Sequence, residues 1–264
     1  MTGPSKISTS QFIKIEIKDK LAVITLCQPR KKNAINTIMY EDLTRCLNFL
    51  SENDEVSITV ITGSGDFYSS GTDLLDGLKE NSDSAIKNAS IRLQKFIEAF
   101  INHKKILVAL VNGPAIGIAV TTLALCDIVY SIDTATFQTP FTKLGMTAEG
   151  CSSYTFPKIL GTAKANDMLL FNYKMTAEEA YQAGLISRLF TKEEMKTRVW
   201  KELEKHAAEL PSNSLKFSKD MIRGFDLAKL KEANKMECQR LEERWKSEDC
   251  LNAVVNFMSR RSKM

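Results

Sequence analysis

The chain has 264 residues, 44% apolar composition and a formal net charge of +4, enough apolar content to bury a core in one large domain or two small ones. Its 36 basic residues are interleaved with 32 acidic ones, which argues against nucleic acid as the main partner. The longest apolar stretches, Ile106 to Val111 and Ile116 to Cys126, are too short to span a membrane, and six cysteines without C-x-x-C spacing read as reduced thiols of an intracellular protein.

Residues 1–10 are polar and turn-rich and are expected to form a loose leader, with order beginning near Phe12. Phe12, Ile13, Ile15 and Ile17, then Leu21, Val23, Ile24 and Leu26, alternate on either side of Asp19-Lys20 as a β-hairpin. Ala34 to Leu50 carries Ile35, Ile38, Met39, Leu43, Cys46, Leu47 and Leu50 at helical spacing, and Val56 to Ile61 reads as a short strand. Ile91 to Ile101 is a predicted helix, Ile106 to Val111 a strand, Ile116 to Leu125 a helix and Ile128 to Ile132 a strand. This alternation predicts an α/β fold with largely parallel pairing. From Gly161 onward strand signals nearly vanish, apart from Leu185 to Leu189. Leu227, Leu230, Ala233, Met236, Leu241 and Trp245 mark a long amphipathic helix, and Val254, Val255 and Met258 a shorter one. The expected division is a core over 11–200 and a helical region over 201–264.

No G-x-G-x-x-G, P-loop, H-E-x-x-H or G-x-S-x-G is present. Gly63-Ser64-Gly65 comes nearest to a dinucleotide turn, but Tyr68 occupies the third glycine position. Two histidines and dispersed cysteines supply no zinc set, so no metal is expected. His103 and His206 both fall in amphipathic helical stretches, where packing or surface roles are expected, which leaves Cys151 without an imidazole partner. Between Val111 and Gly150 the only acids are Asp127, Asp133 and Glu149, and the only base is Lys143.

Glu149 stands among small and apolar residues, and burial there would disfavour its charged form and bring its pKa toward the range useful for proton transfer. Two strand-to-helix turns, Phe67-Tyr68-Ser69-Ser70-Gly71-Thr72-Asp73-Leu74 and Asn112-Gly113-Pro114-Ala115-Ile116-Gly117-Ile118, can each present a backbone N–H. Two such donors converging on one oxygen make an oxyanion hole, and a helix starting near Gly117 would add its dipole. Proton shuttling beside a polarised carbonyl is the chemistry this combination supports. Arg30-Lys31-Lys32 and Arg260-Arg261-Ser262-Lys263 are basic clusters suited either to ligand phosphates or to a solvated surface. The tripeptide Ser262-Lys263-Met264 differs from the peroxisomal address Ser-Lys-Leu by Met for Leu.

Five motifs occur in order: Ser69-Ser70-Gly71-Thr72-Asp73, Asn112-Gly113-Pro114-Ala115-Ile116-Gly117, Cys126-Asp127-Ile128-Val129-Tyr130, Phe137-Gln138-Thr139-Pro140-Phe141 and Ala148-Glu149-Gly150-Cys151-Ser152-Ser153. Together they resemble the crotonase (enoyl-CoA hydratase/isomerase) superfamily from about Phe12 to Arg261, and within it the peroxisomal Δ3,Δ2-enoyl-CoA isomerase type. The resemblance implies a crotonase-like ββα spiral core followed by a helical C-terminal oligomerisation region. It implies that the N–H groups of Thr72 and Ile118 hold the thioester oxygen of an acyl-CoA, although the family often has Ala and Gly at these positions. Hydratases of the family carry glutamates where this chain has Thr121 and Phe141, neither of which can activate water. The isomerase type carries its one glutamate where Glu149 stands.

By the same resemblance Arg30, Lys31 and Lys32 would contact the CoA phosphates, and Phe257 would pack near CoA, in this family often from a neighbouring subunit. Coenzyme A would enter as part of the substrate, with no separate cofactor. Oxidation of unsaturated fatty acids, a homotrimer or hexamer, and a peroxisomal matrix location through an import receptor reading Ser262, Lys263 and Met264 are further expectations. The alternative is a non-catalytic acyl-CoA-binding protein of the kind linked to chromodomains, which resembles this chain with Asp in place of the glutamate.

Overall fold

The computed structural model describes residues 7–77 and 82–261. Most of the expected leader and the tripeptide Ser262-Lys263-Met264 lie outside the described residues. The alternating apolar residues near the start pair Ile13–Lys18 (β1) with Leu21–Leu26 (β2) as an antiparallel hairpin, turned at Asp19 with φ 52°. In chain order there follow Ile58–Gly63 (β3), Ile106–Val111 (β4), Ala115–Ile116 (β5), Ile128–Ile132 (β6), Thr136–Gln138 (β7), Lys174–Thr176 (β8) and Arg188–Phe190 (β9). One sheet runs β1-β2-β3-β4-β6-β9 and is parallel beyond its first pair, while β5, β7 and β8 form a second, small sheet. The fold is α/β. β4 reads as an unbroken apolar run and β3, Ile58–Gly63, is buried along all but its last residue, because a parallel sheet is covered on both faces.

Parallel neighbours require long crossovers, and helices supply them. Thr37–Glu52 links β2 to β3; its cap Asn36 accepts from the Met39 N–H, and Met39, Leu43, Cys46, Leu47 and Leu50 face inward. Asp83–Ile101 links β3 to β4, is capped by Ser82, and buries Leu93, Phe96, Ile97 and Phe100. The long helix Leu227–Trp245 lies against Asp83–Ile101 and buries Leu230, Ala233, Cys238 and Leu241. Two hydrogen bonds fix that contact, from the Ser90 hydroxyl to the Cys238 carbonyl and from the Asn234 amide to the Gln94 carbonyl, each at 3.1 Å.

The expected helix over Ile116 to Leu125 is corrected. Ala115–Ile116 is strand β5, Gly117 turns the chain with φ 60° and ψ −126°, Ile118–Thr121 makes one α-helical turn, and Thr122–Leu125 continues as a 3-10 helix. The Thr121 and Thr122 hydroxyls both donate to the Ile118 carbonyl, at 3.3 and 2.8 Å, which competes with regular helix bonding and tightens the segment. Strand β8 escapes periodicity because it has three residues and only Met175 is buried. His103 lies in the turn after Asp83–Ile101 rather than in a helix, with its ring bonded to the Leu47 carbonyl and the Thr59 hydroxyl. Burial pushes its pKa down to about 3, so it packs as a neutral side chain.

Asp127 has a structural task. Its carboxylate accepts from the Leu107 N–H at 2.7 Å and pairs with Lys219 at 2.7 Å and Arg223 at 3.0 Å, both from the helix Ser212–Gly224. That helix is thereby tied to the starts of β4 and β6. Lys219 is 6% exposed, so removing Asp127 strands a buried ammonium group. Asp127→Ala should therefore lower unfolding stability by about 3–5 kcal/mol in chemical denaturation. A loss below about 1 kcal/mol would make the cluster equivalent to a surface ion pair.

Candidate active site

The two small-residue turns meet because β3 and β4 are parallel neighbours, so the segments that follow them leave the same end of the sheet. The Tyr68 and Ser69 N–H groups donate to the Pro114 carbonyl at 3.2 and 3.4 Å, and the Ile116 N–H donates to the Ser69 carbonyl at 3.0 Å. Gly71, with φ 79°, closes the approach: a Cβ there would lie 2.5 Å from the Ile116 carbonyl oxygen. Ile35 donates its N–H to the Gly71 carbonyl and accepts from the Asp73 N–H, which leaves the Thr72 N–H pointing away from Ile35. Ile118 opens a helical turn, so its N–H has no acceptor within that turn. Among the described residues neither N–H has a protein acceptor. The short turn at Ile118 contributes this free donor rather than the dipole of a long helix.

A cavity of about 850 Å³ is lined by Thr72, Ile118 and Glu149, and also by Arg30, Lys31, Lys32 and Phe257. All seven site residues expected from the sequence thus share one cavity. Apolar wall comes from Leu93, Phe141, Leu144, Met146, Trp245 and Val254. Glu149 is 7% exposed, and no group among the described residues donates a hydrogen bond to its carboxylate. Burial, followed by the negative charge of Glu237, pushes its pKa up to about 8.

Thr121 and Phe141 carry no acid to this cavity. Thr121 is fully buried behind Gly150: a Cβ on that glycine, which has φ 68°, would lie 2.3 Å from the Thr121 hydroxyl oxygen. Phe141 contributes ring surface to the wall.

The basic residues sit on a 3-10 turn, Pro29–Lys31, followed by Lys32 and Asn33 with φ 55° and 52°. Arg30, Lys31 and Lys32 are exposed; Lys31 pairs with Asp73 at 3.1 Å, and the Lys32 ammonium lies 5.0 Å from the centre of the Phe67 ring. Phe257, 39% exposed on the helix Glu248–Arg261, reaches the cavity of its own chain. The second basic cluster, Arg260-Arg261-Ser262-Lys263, falls on side chains outside the described ones.

Three side chains that shape the site were not singled out from the sequence. Asn33 is fully buried, accepts from the Gln28 N–H at 2.9 Å and donates to the Ser64 and Phe67 carbonyls at 2.9 and 2.8 Å, tying the basic turn to the first small-residue turn. Tyr40 bonds the Thr72 hydroxyl at 2.7 Å. Glu237 reaches the Glu149 segment from a helix 86 residues further along the chain. Asn33, an Asn directly after Pro-Arg-Lys-Lys, carries a turn signal in the sequence; Tyr40 and Glu237 carry none, because their partners are remote in sequence.

Known proteins are similar to this chain in sequence and in backbone shape. The family model described as enoyl-CoA hydratase/isomerase matches residues 16–264. The chain is 46% identical over 270 residues to enoyl-CoA delta isomerase 2 of Homo sapiens, covering 99% of this chain and 67% of that protein. It therefore spans about two thirds of the length of that relative. It is 42% identical over 260 residues to the peroxisomal enoyl-CoA delta isomerase 3 of Mus musculus, covering 98% of this chain and 81% of that protein. An enoyl-CoA hydratase/isomerase structure from Pseudoalteromonas atlantica matches with a TM-score of 0.86 and 30% identity over 94% of this chain and 97% of that one. With a family match that runs from β1 through the C-terminal helices, on a backbone of the same shape, the chain belongs to the enoyl-CoA hydratase/isomerase (crotonase) family.

Proposed function

We propose that the protein is a Δ3,Δ2-enoyl-CoA isomerase that moves the double bond of a 3-cis- or 3-trans-enoyl-CoA to the 2-trans position, using Glu149 as its only proton carrier. The observation that carries this reading is the buried Glu149 carboxylate, which no described group hydrogen-bonds, in a cavity shared with two free backbone N–H groups, Thr72 and Ile118; the other lining carboxylates, Asp73 and Asp76, are engaged by Lys31 and by the Thr37 N–H, and Thr121 and Phe141 bring no acid. The relatives named as enoyl-CoA delta isomerases support it. The thioester oxygen accepts from the two N–H groups, which acidifies the C2 protons. Glu149 removes one of them, the negative charge spreads as a dienolate onto the held oxygen, and the same carboxyl group returns the proton at C4. One group suffices because a proton leaves and a proton comes back. A second carboxylate would hold and activate water, and addition of water would compete.

Arg30 and Lys32, with Lys31 already paired to Asp73, are proposed to meet the CoA phosphates, and Phe257 to pack against CoA. The apolar wall suits the acyl chain, and oxidation of unsaturated fatty acids is the proposed setting. Location in the peroxisomal matrix rests on the peroxisomal mouse relative and on the likeness of Ser262-Lys263-Met264 to an import address. Assembly into a homotrimer or a pair of trimers is proposed on the exposed apolar stripe formed by Phe217, Met221 and Ile222 of the helix Ser212–Gly224 and by Phe225 immediately after it.

Glu149→Gln should reduce kcat for 3-hexenoyl-CoA by roughly 10²–10⁴-fold or more while leaving binding of an acyl-CoA within about twofold of the original in calorimetry. Retained turnover would sink the assignment. The base must be ionised to act, so kcat/KM should fall as pH drops below about 8, with the acid limb set by Glu149. A profile flat from pH 6 to 9 would contradict the role.

Stability carries the opposite sign. Because the folded carboxyl holds its proton up to about 8 while the unfolded one releases it near its ordinary value of 4.5, the group weighs against folding as pH rises from 4.5 toward 8. Glu149→Gln should therefore melt at an equal or higher temperature than the original at pH 8, and a lower Tm would show that the carboxylate supports the fold instead.

A further inference from the structure

Glu149 is followed by two residues in the left-handed region, Gly150 with φ 68° and Cys151 with φ 62°. For Cys151 this conformation carries strain, and it persists only where surroundings enforce it. The helix Ser152–Leu160 starts immediately afterwards, and its cap position, Cys151, supplies no side-chain hydrogen bond to the first turn. A Ser, Thr, Asp or Asn at the cap normally does this locally. Here the acceptor comes from the helix Leu227–Trp245: one Glu237 oxygen accepts from the Cys151 N–H at 2.6 Å, and the other accepts from the Ser153 N–H at 2.8 Å. The same helix also receives the Cys151 thiol on the Leu230 carbonyl at 3.3 Å. Glu237 is 6% exposed and does not line the cavity, so it has no contact with a reacting atom.

We propose that Glu237 is a positioning residue for Glu149: by holding the N–H groups of Cys151 and Ser153 with its two oxygens, it locks the Gly150-Cys151 turn and with it the direction in which Glu149 enters the cavity. This inference rests on the reading of Glu149 as the proton carrier. The groups that face Glu149 are few. Tyr40 comes from Thr37–Glu52, Cys238 and Glu237 from Leu227–Trp245, and Arg92, a cavity residue, from Asp83–Ile101. Burial raises the Tyr40 phenol, and it pushes the Cys238 thiol up to about 12, so both stay neutral. Arg92 reaches toward Glu41 at 4.0 Å. Glu237 is the neighbour whose negative charge opposes ionisation of Glu149.

Two substitutions separate reach from charge. In Glu237→Gln the amide oxygen accepts one N–H while the amide nitrogen, a donor, faces the other. In Glu237→Asp the charge stays but the side chain is one methylene too short to serve both donors. Both variants should lose about 10- to 100-fold in kcat for 3-hexenoyl-CoA, with KM within about twofold, as expected when a catalytic group is slightly misplaced. The acid limb of the pH profile should move to lower pH in Glu237→Gln and stay in place in Glu237→Asp.

Glu149→Gln is assayed alongside: if it remains active, the underlying reading fails; if it is inactive while both Glu237 variants turn over normally, only the positioning role fails. A lowered Tm with unchanged kcat and unchanged acid limb would make Glu237 a purely structural cap and overturn the proposal. Failure of both Glu237 variants to fold would do the same.

Discussion

A buried carboxylate with no ion-pair partner among the described residues is held in the wall of the cavity, and much of the surrounding structure serves to keep it there. Taking an ionised carboxylate out of water without a partner costs several kcal/mol, so Glu149 rests in its neutral form over most of the acid range. That cost is borne by the rest of the fold. One apolar cluster extends from Ile13 in β1 to Leu241 in the last long helix but one, and Cys151, Phe156 and Ile118, all within a few residues of the site, belong to it. Gly150 admits the chain past Thr121, and the two Glu237 bonds close the first turn of the helix that follows. A poised, costly acid is what a proton carrier requires: it takes a proton from a weakly acidic carbon and releases it again to another.

The second requirement, two donors aimed at one oxygen, follows from strand order. β3 and β4 pair from Ile58 with Ile106 to Thr62 with Leu110, so the turns after them emerge side by side at the carboxyl end of the sheet. Asn112 bridges them, accepting from the Gly63 N–H at 3.0 Å and donating to the Gly65 carbonyl at 2.9 Å. Asn33 does the same between the basic turn and the first small-residue turn. The cationic turn, the donors and the carboxylate are therefore fixed to one rigid frame, and the cavity between them is closed by the C-terminal helices through Trp245, Val254 and Phe257. Asp127 belongs to this frame. Its place in a family-like motif reflects the docking of Ser212–Gly224 onto the sheet rather than chemistry.

What the sequence made legible was local. The hairpin, the parallel apolar strands and the amphipathic helices Thr37–Glu52, Asp83–Ile101 and Leu227–Trp245 announce themselves by period, and the seven expected site residues are found on one cavity. The acid at position 149 is conspicuous because so few charges surround it in the chain. What stayed hidden depends on contacts across long separations. The helix expected over Ile116 to Leu125 is cut short by Gly117 and by threonine hydroxyls that bond back to Ile118, which an apolar periodicity does not register. Strand β8 exists because β7 pairs with it, not because its three residues favour it. Glu237 looks like one more charge on an amphipathic helix until its partners, 84 and 86 residues earlier, are seen.

The central claim is that one carboxyl group both removes and returns the proton, shielded from solvent by its burial. Following isotope through a single turnover tests this most directly: 3-hexenoyl-CoA deuterated at C2 is converted in ordinary water, and the 2-enoyl-CoA product is analysed for label at C4. A single buried carrier predicts that a measurable share of the deuterium taken from C2 reappears at C4. Complete replacement by solvent hydrogen at C4 from the first turnover would contradict it and point to separate groups for removal and return.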